Sequence, residues 1–219
     1  MGDKGNQSRR RIVETARALF HAKGYTSTSM DDIVREAGMT KGSLYHYFTG
    51  KEALGTAVVE HMIAEQFAAP QGAGPRDPIR GVVAMFRRAE RGLADRRCKG
   101  GCLFGNLALE VSDLHDGLRR TIEEAFARWE RQVAHALESG KRDGYFTPSL
   151  QSKAMAHCIV ALLEGGILLS KVQRNTRPLK SCTGMVERLL EGFRTRKSPR
   201  PPLSKGSEGG LGGDDEAEE

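Results

Sequence analysis

The sequence predicts an all-α fold: a small N-terminal group of helices, then a larger helical unit. Three observations point there. Apolar residues recur at helical spacing through most of the chain. Glycines and Ser/Thr capping residues fall where those stripes stop or start. No stretch reads convincingly as a strand, and no internal repeat is visible.

The first helix is expected from about Ser8 to Lys23, with Ile12, Ala16, Leu19 and Phe20 on one face and Gly24 as its left-handed stop. Ser29 is a good N-cap for a short second helix, supported by Asp32 three residues on, with Ile33, Val34 and Ala37 facing inward. Gly38 ends it, Met39 tucks into the core, and Thr40 starts a third helix, "KGSLYHYF". Thr49 and Glu52 have capping-box spacing ahead of a fourth helix, about Lys51 to Phe67.

"APQGAGPRDP", residues 69–78, reads as a linker. Beyond it come helices over 78–95 and near 102–112, then a long one striped by Leu118, Ile122, Phe126, Trp129, Val133 and Leu137. Residues 154–170, "AMAHCIVALLEGGILLS", are apolar on nearly every face yet hold Glu164, and predict a helix buried all round, by its own domain on one face and by a partner on the other. Gly165 and Gly166 suit close helix approach, and a last helix runs from about Leu179 to Phe193.

Charge and composition narrow the function classes. The net charge of +6 hides an acidic end: residues 206–219 hold six carboxylates and no base, so 34 bases face 22 acids in the rest. That balance suits a polyanionic partner as well as a merely soluble surface. The Pro-, Gly- and acid-rich segment 198–219 is expected to be a disordered tail. No uncharged apolar run reaches membrane-span length, and the N-terminus lacks a secretory signal, so the expectation is a cytoplasmic protein that spans no membrane. Cys98, Cys102, Cys158 and Cys182 form no paired CxxC units, so neither a metal site nor a cofactor is expected.

The second and third helices, joined by "AGM", form a helix-turn-helix unit at about residues 29–48. Gly38 reverses the chain cheaply, while Ile33, Val34 and Leu44 fix the helix crossing. Thr40, Gly42 and Ser43 leave the start of the third helix open to phosphates and base edges. Leu44 and Phe48 are its inward anchors. Between Ala37 and Lys51 there are two lysines and no carboxylate, as a phosphate surface requires.

"GYTSTSMDDIVREAGMTKGSLYHYFTGKEAL" resembles, nearly position by position, the DNA-binding domain of the TetR family of transcription regulators. The match covers about residues 8–60, with Val34, Met39, Thr40 and Tyr47 as mild departures. The resemblance implies a helix-turn-helix DNA-binding domain over 8–68 and a larger ligand-binding and dimerisation domain over 77–195. It implies a non-enzymatic regulator, by family habit a repressor, that binds a palindromic double-stranded operator as a homodimer. It places Thr40 as cap and phosphate contact, with Lys41, Gly42 and Ser43 facing the major groove. Tyr45 and His46 would touch backbone or thymine methyls, Lys51 would clamp a phosphate, and Thr28 and Ser29 would hold one at the second helix. Tyr47 either sits by a phosphate or packs inward. Arg9, Arg10 and Arg11 form an arm along DNA or a frayed end.

In the second half, "RRCKGGCLFGN" surrounds Cys98 with Arg96, Arg97 and Lys99 and sets Cys102 at a helix start, a setting that lowers thiol pKa. "GCL-GN-ALE-S" also resembles a subgroup whose cysteine here senses electrophiles or oxidants. Cys102 and Cys98 are therefore sensor candidates, against the plain alternative that Cys102 is a small buried residue. Cys158 and Cys182 are expected in the core. A non-covalent small-molecule inducer would instead occupy a cavity lined by Phe86, Leu103, Phe104, Leu107, Phe126, Trp129 and Leu163. A thiol enzyme using Cys102 and His115, or a non-specific DNA-compacting protein, are the rival classes.

Overall fold

Stripe and cap together decide where each helix runs in the computed structural model, which describes residues 3–67 and 77–195. The order is α1 (Asp3–Lys23), α2 (Met30–Ala37), α3 (Lys41–Tyr47), α4 (Lys51–Gln66), α5 (Pro78–Asp95), α6 (Leu103–Val111), α7 (Asp116–Arg142), α8 (Ser152–Gln173) and α9 (Arg177–Glu191). Among the described residues there is no strand, only an isolated antiparallel bridge between Phe146 and Arg194. The expected acidic tail and most of the expected linker lie outside the described residues.

Local chemistry accounts for the ends. Ser29 and Asp32 form the reciprocal capping box, each amide donating to the other's side chain at 3.0 Å. Gly38 closes α2 at φ +61°, where a side chain would be strained. Thr40 caps α3 by accepting the Ser43 amide at 3.2 Å.

Two expectations fail here. Arg9, Arg10 and Arg11 are no arm or frayed end: α1 runs through them, with Arg10 paired to Glu14 at 2.8 Å and the Arg9 guanidinium 5.2 Å over the Phe48 ring. Thr49 and Glu52 form no capping box either. Gly50 is the N-cap of α4, without a side-chain bond, and Glu52 turns instead to His115 at 3.4 Å.

Two apolar clusters hold the helices. The first joins α1–α4 to α6 and α7, with Phe20, Leu44, Leu54 and Val58 meeting Phe104, Leu107, Leu118 and Trp129. The core therefore runs without a break from the helix-turn-helix unit into the larger helical part. The second cluster packs α5, α7, α8 and α9 around Phe86, Leu137, Phe146, Leu163 and Leu190.

α8 is long and apolar enough to cross a membrane, but here it lies against α7 and α9 and carries Lys153, Glu164 and Lys171. Within the protomer one face of it is buried and the other is open. Ala156, Ile159, Leu163 and Ile167 face the core, while Leu168, Leu169 and Val172 are 48%, 50% and 70% exposed. Cys158 is exposed with them, contrary to its expected core position, and Cys182 is half-buried. Gly166 sets the closeness of α8 and α9: a Cβ there would lie 2.9 Å from Leu179 Cδ1 and 3.2 Å from its Cα.

Candidate functional site

The third helix presents the split surface its sequence implies. Leu44 is fully buried and Phe48 nearly so, four residues apart on the inner face. Thr40, Lys41, Gly42, Tyr45 and His46 are exposed, Ser43 is half-exposed, and nothing lies within 4 Å of a Cβ placed on Gly42. Tyr47 is half-buried against the first cluster, its ring meeting that of His46 edge-on at 5.1 Å. Asp31 of α2 pairs with Lys41 at 2.8 Å, so the lysine is not as free of carboxylates as the local sequence suggests. Asp31 raises the Lys41 pKa, through their hydrogen bond first and then its charge.

Two of the expected phosphate contacts are otherwise engaged. Thr28 is fully buried and its hydroxyl donates to the Gly24 carbonyl at 2.7 Å, because the turn before α2 needs that oxygen satisfied. Its side chain is not offered to a phosphate. Lys51 Nζ donates to the Thr26 carbonyl at 3.2 Å and lies 4.4 Å over the Tyr25 ring, and partial burial lowers its pKa. Ser29 remains exposed, although its side chain serves the capping box.

The seven expected pocket residues divide between the two apolar clusters. Leu103, Phe104, Leu107, Phe126 and Trp129 belong to the first cluster and Phe86 and Leu163 to the second, most of them consumed as core. A cavity of about 240 Å³ opens between α6 and α8. Its walls include Gly101, Cys102, Gly105, Phe126, Glu164 and Lys171. Of the expected residues only Phe126 and Cys102 are there.

Cys102 sits at the N-cap of α6 as expected, but its thiol is not acidified. Burial and then the Glu164 charge push its pKa up, and the Gly105 and Phe104 amides only partly oppose them. Burial also raises the Glu164 carboxyl, with the thiol hydrogen bond pulling the other way. Gly105 makes room for the pair, since a Cβ there would overlap the Glu164 carboxylate and approach Cys102 Cβ at 3.7 Å. Cys98 is a core residue: it is buried, at φ +56°, and packed into the second cluster.

Both ends of α6 touch the N-terminal helices. At its start, the Gly101 carbonyl lies 3.1 Å from His21 Nε2, while Asn106 donates to the Gly100 carbonyl at 2.6 Å. Positive φ at Gly100 and Gly101 allows this approach, and a Cβ on Gly100 would lie 2.5 Å from His21 Nε2. At its end, Glu110 accepts the Thr26 amide at 2.8 Å, just before α2.

Comparison with known proteins places this arrangement. Residues 12–58 match the model of bacterial regulatory proteins of the tetR family, and residues 78–185 match that of the tetracyclin repressor-like C-terminal domain. The transcriptional regulator LmrA of Bacillus subtilis is 32% identical over 187 residues, covering 84% of this chain and 97% of its own length. The chain belongs to the TetR family. The transcriptional regulator AcuR of Cereibacter sphaeroides is 30% identical over 168 residues, covering 74% of this chain and 75% of its own. The crystal structure of the reduced form of Escherichia coli NemR superposes with a TM-score of 0.75 at 26% identity, covering 84% of this chain and 97% of that one.

As a TetR-family transcription regulator the chain is no enzyme, and the geometry agrees: Cys102 and His115 stand at opposite ends of α6, with His115 paired to Glu52. Reasoning from the TetR-like sequence missed most cavity residues, among them Gly101, Gly105, Asn106, Ala108, Leu109, Gly165, Ile167, Leu168 and Lys171. One signal was present. Glu164 is a lone carboxylate in an apolar helix, and such a group needs a reason to be there.

Proposed function

We propose that this TetR-family regulator is a homodimeric repressor released from its operator when a small electrophile adds to Cys102 in the α6–α8 cavity. The observation that carries the reading is the position of α6. Its first turn borders the cavity and its last turn holds the amide that precedes α2, so a change at Cys102 has a short rigid path to the DNA-reading helices. Similarity to NemR, whose reduced form is the state described, supports a thiol-based reading.

Operator contact falls to Thr40, Lys41, Gly42, Ser43, Tyr45 and His46, with Ser29 beside them. Thr28 and Lys51 act by holding the turn around Tyr25 and Thr26. Dimerisation falls to the exposed apolar face of α8 and α9, where Met185 and Leu189 continue the stripe of Leu168, Leu169 and Val172. A second reading, a non-covalent apolar ligand in the same cavity, is favoured by the raised thiol pKa.

The test is retention of a selected operator duplex by Lys41→Ala and Tyr45→Ala. Each should lose about 1–3 kcal/mol of specific binding if it reads a base. Unchanged retention in the double variant would remove α3 as the reader.

A further inference from the structure

Cys102 poses a problem that an exposed cysteine would not. A thiol whose ionisation is suppressed by burial is a poor nucleophile, because the thiolate is the reacting form. The residue beside it offers a solution. Glu164 projects from α8 into the space left by Gly105, beside Cys102, and its carboxylate borders the same cavity as the thiol. Its Oε1 is buried without a hydrogen-bond partner. A buried carboxylate without a second donor is costly, so its retention calls for a use.

We propose that Glu164 takes the proton of the Cys102 thiol as that sulfur adds to an α,β-unsaturated carbonyl compound in the cavity. This rests on the reading of Cys102 as the effector site. Sulfur forms its bond to the β-carbon, the S–H proton passes to the Glu164 carboxylate, the carbon–carbon π pair shifts between the α-carbon and the carbonyl carbon, and the carbonyl π pair moves onto oxygen. The proton then returns from Glu164 to the α-carbon as the carbonyl reforms, leaving a thioether and the original carboxylate. Every atom is accounted for and no further reactant is needed.

The electrostatics favour this route over ionisation to water. Releasing the thiol proton to solvent would put a second negative charge beside Glu164 in an enclosed site. Transfer to Glu164 keeps one negative charge on the pair and moves it towards the amides of Phe104 and Gly105, which already point at the sulfur. A carboxyl raised by burial is also a stronger base than an exposed one. The other groups facing the site are few. Lys171 on α8 donates to Asn106 Oδ1 at 3.2 Å, and His21 on α1 lies across the Gly101 carbonyl with its own pKa lowered, first by burial. Near Cys98, Arg174 is occupied with that residue's carbonyl at 3.3 Å. The cavity suits a small uncharged acceptor, since its lining is mainly apolar apart from Glu164, Asn106 and Lys171.

The experiment follows adduct formation at Cys102 by peptide mass spectrometry with methyl vinyl ketone as probe, over a pH series, with a free thiol as reference. Intact dimers of wild type, Glu164→Gln and Glu164→Asp are compared after each is shown to bind operator. In the wild type the rate should level off once Glu164 is ionised, well below the pH at which the reference thiol levels off. In Glu164→Gln the neutral-pH rate should fall by about a hundredfold, a usual general-base contribution, and rise in proportion to hydroxide. Glu164→Asp should keep the wild-type profile at reduced rate, and it carries the test if the glutamine variant does not fold. A glutamine variant that reacts at Cys102 as fast as wild type, or faster, would overturn the proton-transfer role and leave Cys102 as the sensor. A wild-type protein unmodified at Cys102 would overturn both.

Discussion

Adjacent glycines on α8 should respond to the same substitution with opposite signs. At Gly166 a Cβ would meet Leu179 Cδ1 at 2.9 Å and the Leu179 Cα at 3.2 Å, and the latter is backbone of α9 that cannot step aside without moving the helix. Overpacking of this kind costs about 1–3 kcal/mol. Alanine regains about 0.8–1.0 kcal/mol of helix propensity over glycine. Gly166→Ala is therefore expected to destabilise by about 1 kcal/mol. At Gly165 nothing lies within 4 Å of the added carbon, so only the propensity gain remains. Gly165→Ala should stabilise by up to about 1 kcal/mol. The gap of about 2 kcal/mol between the two variants is well within reach of urea denaturation, read by circular dichroism at one fixed protomer concentration. If Gly166→Ala proves as stable as Gly165→Ala, the close packing of α8 on α9 is wrong, and with it the shape of the face assigned to dimerisation.

Other perturbations test separate links. His21 has its pKa lowered, mainly by burial, so the unfolded chain takes up a proton near pH 6.5 that the folded chain refuses until lower pH. Its share of stability is complete above that value and is lost as pH falls through it towards the folded pKa; His21→Gln should flatten this part of a stability-against-pH curve. Asp31→Asn removes an exposed ion pair with Lys41, and should change stability by less than about 0.5 kcal/mol while tightening operator binding at low salt, because a carboxylate that repels DNA is gone and Lys41 is free to meet the groove. Glu110→Gln replaces a charge-assisted bond to the Thr26 amide with a neutral one; operator affinity should hold while release by methyl vinyl ketone weakens, as a retention titration would show.

Helix positions were legible because they depend on neighbours in sequence. The capping box at Ser29 and Asp32, the left-handed Gly38 and the inward pair Leu44 and Phe48 are all local, and each stands where the pattern puts it. What failed depends on contacts between distant segments. Thr28 is indistinguishable in sequence from an exposed phosphate ligand, and only the fold directs its hydroxyl to Gly24. Glu52 has the spacing of a capping residue but finds His115 across the fold. The basic neighbours of Cys98 suggest a reactive surface thiol, yet the residue is buried in the core, with left-handed backbone at Arg97 and Cys98. The setting of Cys102 is the reverse of the one its neighbours in sequence suggest, because it follows from burial and then from a carboxylate some sixty residues away on α8.

The central claim is that chemistry at Cys102 releases DNA held by α3. Its most direct measurement titrates operator-bound wild type and Cys102→Ser with methyl vinyl ketone, reading retained DNA and the modified residue on the same samples. Wild type should release DNA in step with one adduct per protomer at Cys102, while Cys102→Ser stays bound. Equal release from Cys102→Ser would contradict the account.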